Sequence, residues 1–233
     1  MKSVDVCLTH QQLENYDHRE KVVVVIDVLR ATSTMNTLLF NGVNSVTPVE
    51  TLEECMSLRN EGFIIMAERM GKKVNGFDYG NSPSKISREN FEGREVAIAT
   101  SNGTKAIVKT KGSHITIIGS FLNIGSISEY INSKDKDTIL LCSGWKGSTN
   151  LEDTLCAGAV ISKLSNHEII SDSGYIAKKL FKKSGSDILT TMKESSHAKR
   201  LSGYDNNIDI EFCSQIDSQP IISVFEEGKL KLL

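Results

Sequence analysis

The sequence predicts an α/β fold with a largely parallel central sheet. Short β-branched runs alternate with amphipathic stretches along most of the chain, and the first of those runs, Val22-Val23-Val24-Val25-Ile26, is apolar throughout. Strand and helix taking turns is the mark of crossover connections, and a strand buried on both faces shows no polar alternation. A third observation is an internal repeat. Sliding the chain by seventy positions lays Arg30-Ala31-Thr32-Ser33-Thr34 over Thr100-Ser101-Asn102-Gly103-Thr104. Gly42 then falls on Gly112 and Val49-Glu50 on Gly119-Ser120. Each copy holds a buried strand, a hydroxyl-rich turn, a short helix, a glycine stop and a second strand. Two such turns are expected to face one cleft, because parallel sheets gather their sites at the strand C-termini.

The elements follow in order. Residues 21–28 read as a strand, 34–40 as a helix, 43–49 as a strand, 52–60 as a helix and 63–67 as a strand. A loop of roughly twenty residues without clear periodicity comes next, longer than most connections in a compact domain. Strands resume at 95–99, 115–119 and 138–142, with helical stretches at 104–109 and 124–132 between them and another at 151–164. The stretch 171–217 is Lys- and Ser-rich and mostly helical, with apolar positions at Ile176, Leu180, Phe181, Ile188, Leu189 and Met192. It reads as a packing layer or lid support. Residues 221–225 and 229–233 flank Glu226-Glu227-Gly228 and read as a β-hairpin. The 233 residues are read as a single domain. Its related halves span roughly 20–90 and 91–165, and 166–233 adds the helical layer and the hairpin.

Composition narrows the class. Hydrophobic residues make up 39% and charged residues 24%, ordinary for a globular protein. The net charge of -2 argues against a nucleic-acid coat but leaves room for a local anion site. No apolar run approaches a membrane span, and the N-terminus lacks the basic-then-apolar pattern of a signal peptide. Five cysteines, an odd number without Cys-x-x-Cys spacing, argue against a disulfide framework and a structural zinc site. A cytoplasmic protein with neither membrane nor nucleic-acid partner is expected.

Four segments carry residues suited to chemistry. In Asp27-Val28-Leu29-Arg30-Ala31-Thr32-Ser33-Thr34, a carboxylate ends the buried strand, and an arginine and three hydroxyls open the next helix. A helix N-terminus favours an anion, and arginine adds a bidentate fork. A helix cap alone would explain one hydroxyl, but neither the arginine nor the acid. Thr100-Ser101-Asn102-Gly103-Thr104 is placed the same way, with Asn102 either a cap or a ligand; it lacks the P-loop spacing. Glu68-Arg69 leads into Gly76-Phe77-Asp78-Tyr79-Gly80-Asn81-Ser82-Pro83, a glycine-rich loop inside a domain. Finally Cys142-Ser143-Gly144-Trp145-Lys146 runs on to a helix that opens with Glu152-Asp153. Acids there suit the helix dipole. Yet Asp27, Glu68, Glu152 and Asp153 all lie just beyond strand ends, where hard oxygen ligands suit Mg²⁺. None of the histidines at 10, 18, 114, 167 and 197 falls in these segments, which weakens zinc-hydrolase and Ser-His-Asp readings. Cys142 and Cys156 have apolar neighbours and read as structural.

Taken together these strings resemble the 2-phosphosulfolactate phosphatase family. The matching residues are 27–34, 68–71 with 76–83, 100–104, Ser120-Phe121 with Asn123, and Glu152-Asp153 with Cys156-Ala157-Gly158. A weaker echo follows at Leu201, Gly203, Asp209-Ile210 and Pro220. Lys85 departs from the pattern, since many relatives have an acid after Asn-Ser-Pro. The resemblance implies a three-layer α/β/α fold whose largely parallel or mixed sheet is built from two related halves. It also implies a Mg²⁺-dependent phosphatase, a phosphoric monoester hydrolase acting on 2-phosphosulfolactate and related 2-hydroxy acid phosphates. Coenzyme M biosynthesis is the pathway it suggests, without fixing the substrate here.

On this reading Asp27, Glu68, Glu152 and Asp153 supply the metal's carboxylates, not all directly. Arg30, Ser33, Ser101, Asn102 and Thr104 hold the phosphate or the acid group, with Arg69 and Lys146 as further anion binders. The catalytic set is Asp27, Arg30 and Glu68, and the nucleophile is water or Asp27. The partner is a small anionic phosphorylated 2-hydroxy acid, and a homo-oligomer is left open. Two alternatives stand beside it. One is a non-catalytic binder of phosphorylated metabolites, which needs the cations but not the acids. The other is a haloacid-dehalogenase-type phosphatase, whose second Asp is replaced here by Leu29.

Overall fold

The computed structural model describes residues 1–69, 71–202 and 207–233; Gly203, part of the resemblance, lies outside them. The first stretch holds β1 (Lys2–Cys7), β2 (Val22–Ile26), α1 (Ala31–Phe40), β3 (Ser45–Val49), α2 (Leu52–Ser57) and β4 (Ile64–Arg69). Next come β5 (Lys72–Lys73), α3 (Pro83–Ile86), β6 (Glu95–Ala99), α4 (Gly103–Lys109), β7 (Ile115–Gly119), α5 (Ile124–Ser133) and β8 (Thr138–Cys142). The chain continues with α6 (Leu151–Lys163), β9 (His167–Ile169), α7 (Asp172–Ser184), α8 (Ile188–Lys193), α9 (Ser196–Ser202) and α10 (Asn207–Cys213). It closes with β10 (Ser223–Glu226) and β11 (Lys229–Leu232).

Among the described residues eleven strands form one mixed sheet in the order β5-β4-β6-β3-β11-β10-β7-β2-β8-β1-β9. Two sets of three parallel strands stand out in it. β2 lies between β7 and β8, and β6 between β3 and β4. Each set therefore takes its middle strand from one copy of the repeat and its outer strands from the other. The hairpin β10-β11 joins them and pairs antiparallel with β7 on one side and β3 on the other. Followed through the ladder, the two sets consequently run in opposite senses. β1 and β9, which the sequence pattern does not announce, extend the sheet in parallel beyond β8.

Helices cover both faces, giving the three layers. Val22, Val24 and Ile26 pack with Ile127, Leu155 and Val160 of α5 and α6. Val23 and Val25 pack with Ala31, Met35 and Leu38 of α1 and with Ala106 and Ile107 of α4. This explains the unbroken apolar run, each member of which contributes about 1.5–3 kcal/mol by leaving water. A smaller cluster, including Val49, Cys55, Ile65 and Ala97, lies under α2. The insertion of the hairpin is fixed by a buried amide network. The Asn123 amide donates to Asn36 Oδ1 and to the carbonyl of Ile221, both at 3.1 Å, while Asn36 Nδ2 donates to Gln219 Oε1, also at 3.1 Å. Among the described residues no helix is long and apolar enough to cross a membrane.

Where α6 crosses α7, backbones touch. A Cβ on Gly158 would sit 2.0 Å from the Ala177 carbonyl oxygen. Elsewhere in a helix, glycine to alanine gains about 1 kcal/mol. Here overpacking outweighs that gain, and Gly158→Ala is expected to lower stability by about 1–3 kcal/mol in thermal or urea unfolding. A variant as stable as the wild type would contradict this contact.

Candidate active site

The site begins where β2 ends. Asp27 follows the strand, and its Oδ1 accepts the Ala31 N–H at 3.1 Å. The Thr32 hydroxyl accepts the Asp27 N–H at 2.9 Å and donates to the Gly119 carbonyl at 2.7 Å, pinning the turn to β7. Against this turn lies the second one. A Cβ on Gly103 would fall 2.4 Å from Ala31 Cβ and 2.8 Å from Asp27 Oδ2, so only glycine allows this approach. The two turns do share one cleft, but not through a common parallel edge. β2 and β6 lie in different sets of strands, and the turns meet because the first residues of α1 and α4 abut.

The meeting point opens on a cavity of about 470 Å³, walled by Asp27, Arg30, Glu68, Arg69, Ser101, Asn102 and Lys146 among others. Asn102 makes no side-chain cap to α4, which leaves its amide for the cavity. Two expected anion binders face elsewhere. The Ser33 hydroxyl is fully buried and donates to the Val28 carbonyl at 2.8 Å. The Thr104 hydroxyl, equally buried, donates to the Thr100 carbonyl at 3.1 Å. Both satisfy the backbone of their own turns, and neither Ser33 nor Thr104 lines the wall.

Behind Asp27 lie two acids with no exposed surface, Glu152 and Asp153 in the first turn of α6. Asp153 has both oxygens committed. Oδ1 accepts the Val28 N–H at 2.9 Å; Oδ2 accepts the Asn150 amide at 2.9 Å and the Gly144 N–H at 3.3 Å. Glu152 Oε1 meets His197 Nδ1 at 3.0 Å, whereas Oε2 is buried without a partner among the described residues. Burial pushes the carboxyl of Asp153 well above its ordinary value, and the charges of Asp27 and Glu152 push it further. Asp27 is raised as well, chiefly by burial, with Glu152 and Glu68 adding to it. Among the described residues no three His, Cys, Asp or Glu side chains enclose a ready metal site.

Arg30 is buried and partly committed. Nη1 donates to Asp209 Oδ2 at 2.5 Å; Nη2 lies 3.5 Å from the Gly71 carbonyl and 3.9 Å from Glu68 Oε2. Asp209 Oδ1 accepts the hydroxyls of Ser82 and Ser84, tying α10 to the glycine-rich loop. Glu68 Oε1 in turn accepts the Gly71 N–H. Leu29, 2% exposed, lies where the dehalogenase pattern needs an acid. The thiols of Cys142 and Cys156 are pushed well above their ordinary value by burial, in keeping with structural roles.

The region read as packing or lid support does more than support. α9 carries His197 and Arg200 to the cavity wall, and α10 carries Asp209 to Arg30. Trp145, also on the wall, stacks on His197 with centroids 6.5 Å apart and planes at 26°. Lys146 Nζ and the Arg200 guanidinium stand 4.7 and 4.9 Å from the Trp145 ring centroid. Sequence reasoning missed His197, Arg200 and Trp145. The only signal for Trp145 was the chain's single tryptophan standing in a Gly/Ser loop.

Comparison with known proteins follows the same outline. A sequence model described as 2-phosphosulpholactate phosphatase matches residues 7–228. A protein of Thermotoga petrophila described as a probable 2-phosphosulfolactate phosphatase is 42% identical over 197 residues, 84% of this chain and 86% of the relative. Proteins of the same description from Caldanaerobacter subterraneus and Clostridium perfringens are 34% and 31% identical. They cover 94% and 98% of this chain, and 94% and 95% of their own lengths. A match that runs from the end of β1 to the turn of the final hairpin, over all the segments that build the cavity, means that the chain belongs to the 2-phosphosulfolactate phosphatase family.

Proposed function

We propose that the cavity hydrolyses the phosphate monoester of a 2-hydroxy acid, 2-phosphosulfolactate in the first instance, in a Mg²⁺-dependent reaction. The observation that carries this reading is the meeting of Asp27, backed by two buried acids, with Arg30, Ser101 and Asn102 in one cavity. Hydrolysis of a phosphate monoester needs its charge neutralised and a nucleophile placed in line. A non-catalytic binder needs the cations alone, and the cost of three desolvated acids would then have no purpose.

The acids present fit a divalent ion. Glu152 Oε2 is buried and unpartnered, and Asp27 shares its desolvated environment. Mg²⁺ takes few carboxylates and keeps waters, so a full protein cage is not required. Asp27 and Glu152 would hold it; Asp153 is spent on backbone donors and Glu68 on Gly71. When bound, the ion would supply positive charge that offsets the negative charge of the transition state. Arg30, oriented by Asp209, presents its remaining donors to the same oxygens. Asp27 is the member of the buried acid group that reaches the wall, and it either attacks phosphorus or orders the attacking water. His197 is held by Glu152 and stacked on Trp145 at the wall, where it bounds the space for the leaving group.

The assay is release of phosphate from 2-phosphosulfolactate with and without a chelator. Wild-type protein should need Mg²⁺, and Asp27→Asn should lose roughly a hundredfold or more in kcat, on the scale of one transition-state interaction. Turnover unchanged in Asp27→Asn, or indifferent to the chelator, would overturn the reading. Arg30→Lys keeps the charge and loses the fork. Its kcat/KM should fall by about 2–4 kcal/mol of transition-state stabilisation. An unchanged value would remove Arg30 from the machinery.

Stability gives an independent test of the metal. Folding raises the pKa of Asp27 and Asp153 above the ordinary 3.8, so these acids hold protons more tightly when folded. Their favourable contribution is present at low pH and is lost as the pH rises through their folded values. The metal-free protein should therefore lose stability from the ordinary carboxylate range toward neutrality, and Mg²⁺ should restore it. Glu152→Gln removes one of the repelling charges. It should raise the metal-free melting temperature at neutral pH by roughly 2–4 °C per kcal/mol relieved, and blunt the response to Mg²⁺. A melting temperature that ignores Mg²⁺ in the wild type would count against the ion.

A further inference from the structure

The cavity is electrically divided between an inner and an outer part. Asp27 and Arg30 are 8% and 4% exposed, and Arg30 has an acidic partner in Asp209. Toward solvent the wall carries Lys146, which is exposed, and Arg200, which is half-buried. Among the described residues neither has a salt-bridge partner, and the Arg200 Nε is buried without any hydrogen-bond partner. Both cations are instead positioned by one aromatic ring. Trp145 holds Lys146 Nζ at 4.7 Å and the Arg200 guanidinium at 4.9 Å from its centroid, and the His197 stack holds the ring itself. A cation–π contact fixes where a charge sits but leaves its in-plane N–H donors free. A desolvated donor without an acceptor is costly, and the Arg200 Nε is one, so this guanidinium, sharing its aromatic ring with the solvent-exposed Lys146, is an arrangement waiting for an anion.

We propose that Lys146 and Arg200, held on the Trp145 ring, form a second anion subsite that takes the sulfonate of the substrate, apart from the inner subsite that takes the phosphate. This inference rests on the phosphatase reading above and adds what selects the substrate. In 2-phosphosulfolactate the carboxylate is joined directly to the phosphate-bearing carbon, whereas the sulfonate stands one methylene further out. The longer arm suits the outer cations. A sulfonate spreads its charge over three oxygens and is weakly hydrated, which matches a guanidinium better than it matches a strongly hydrated ammonium. Arg200 is therefore the leading ligand and Lys146 the supporting one. A substrate without the sulfonate leaves the buried Arg200 donor unpaired, and selectivity follows from that penalty.

The test compares 2-phosphosulfolactate with 2-phospholactate, which keeps the phosphate and the carboxylate and lacks the sulfonate. Arg200→Gln and Lys146→Gln are assayed separately, each with its unfolding curve. In the wild type the sulfonated compound should have the lower KM. Arg200→Gln should raise that KM by about tenfold or more, the size of one lost charge-assisted hydrogen bond, and leave the KM for 2-phospholactate within about twofold. Lys146→Gln should shift it in the same direction by less; it also reads the subsite if Arg200→Gln does not fold. Equal effects on both compounds, or none, would overturn the subsite while leaving the phosphatase reading intact. Calorimetric titration separates the opposite failure. Binding of both compounds without turnover would sink the phosphatase reading, and the ratio of the two dissociation constants would still report on Arg200.

Discussion

The contact on which the site depends is the one between Gly103 and the turn from Asp27 to Ala31. Without a side chain at Gly103, the starts of α1 and α4 close to within van der Waals contact, and Asp27 comes to face Ser101 and Asn102. The strands before these turns are not neighbours in the sheet, so no ladder bond enforces the meeting. It is enforced from below, because α1 and α4 pack together against β2, β3 and β6 in one apolar cluster. The sheet makes that cluster possible by inserting β10 and β11 between its two sets of parallel strands. The amides of Asn36, Asn123 and Gln219 are buried at the approach to this insertion, where each would be costly if left unpaired. A single backbone approach thus converts a packing arrangement into a chemical one.

Charge is the second constraint. Glu152 and Asp153 open α6, where its dipole favours acids, but they are also fully withdrawn from water beside Asp27. Dipole and backbone donors stabilise Asp153; they do not reach Glu152 Oε2. The chain keeps a strained electrostatic arrangement that an apolar core would avoid, as active sites characteristically do. Arg30 shows the complementary case. Its ion pair with Asp209 places a buried cation firmly but spends part of its fork, so the arginine orients as much as it binds.

Much of this was legible before any coordinates. The apolar run of β2 announced a strand buried on both faces, and β6, β7 and β8 fall on the residues that periodicity assigns. Asp27, Arg30, Asn102 and Lys146 were visible as chemistry because polar groups stand abruptly at strand ends. What stayed hidden has physical reasons. β1 is half polar and β9 spans three residues, too short for a pattern. The swap of middle strands leaves no local trace, since each copy of the repeat looks the same whichever set it joins. Ser33 and Thr104 carry the same hydroxyl whether it serves a ligand or a carbonyl, and only the direction of the bond separates the two. His197, Arg200 and Asp209 come from a Lys- and Ser-rich helical stretch whose composition resembles any solvated layer, and its folding back over the cavity is a tertiary event.

That fold-back decides how the site divides its labour. The segments before residue 165 provide the buried acids Asp27, Glu152 and Asp153, and with them Arg30, Trp145 and Lys146 of the wall. The helices after it provide Asp209, which sets the orientation of Arg30, and Arg200, which faces outward on the Trp145 ring. On the proposed reading the selecting group is shared between the loop that carries Trp145 and Lys146 and the late helix that carries Arg200, and two side-chain pairs, Glu152 with His197 and Arg30 with Asp209, are among the contacts that join the early and late parts of the chain. On that reading a change at Arg200 alters which acid is accepted, while the hydrogen bonds that hold Asp27, to Ala31 and Thr32, lie within its own turn. The reverse does not hold, because both joining bonds anchor on residues within the first turns of α1 and α6, or beside them, and any shift there displaces the selecting groups as well.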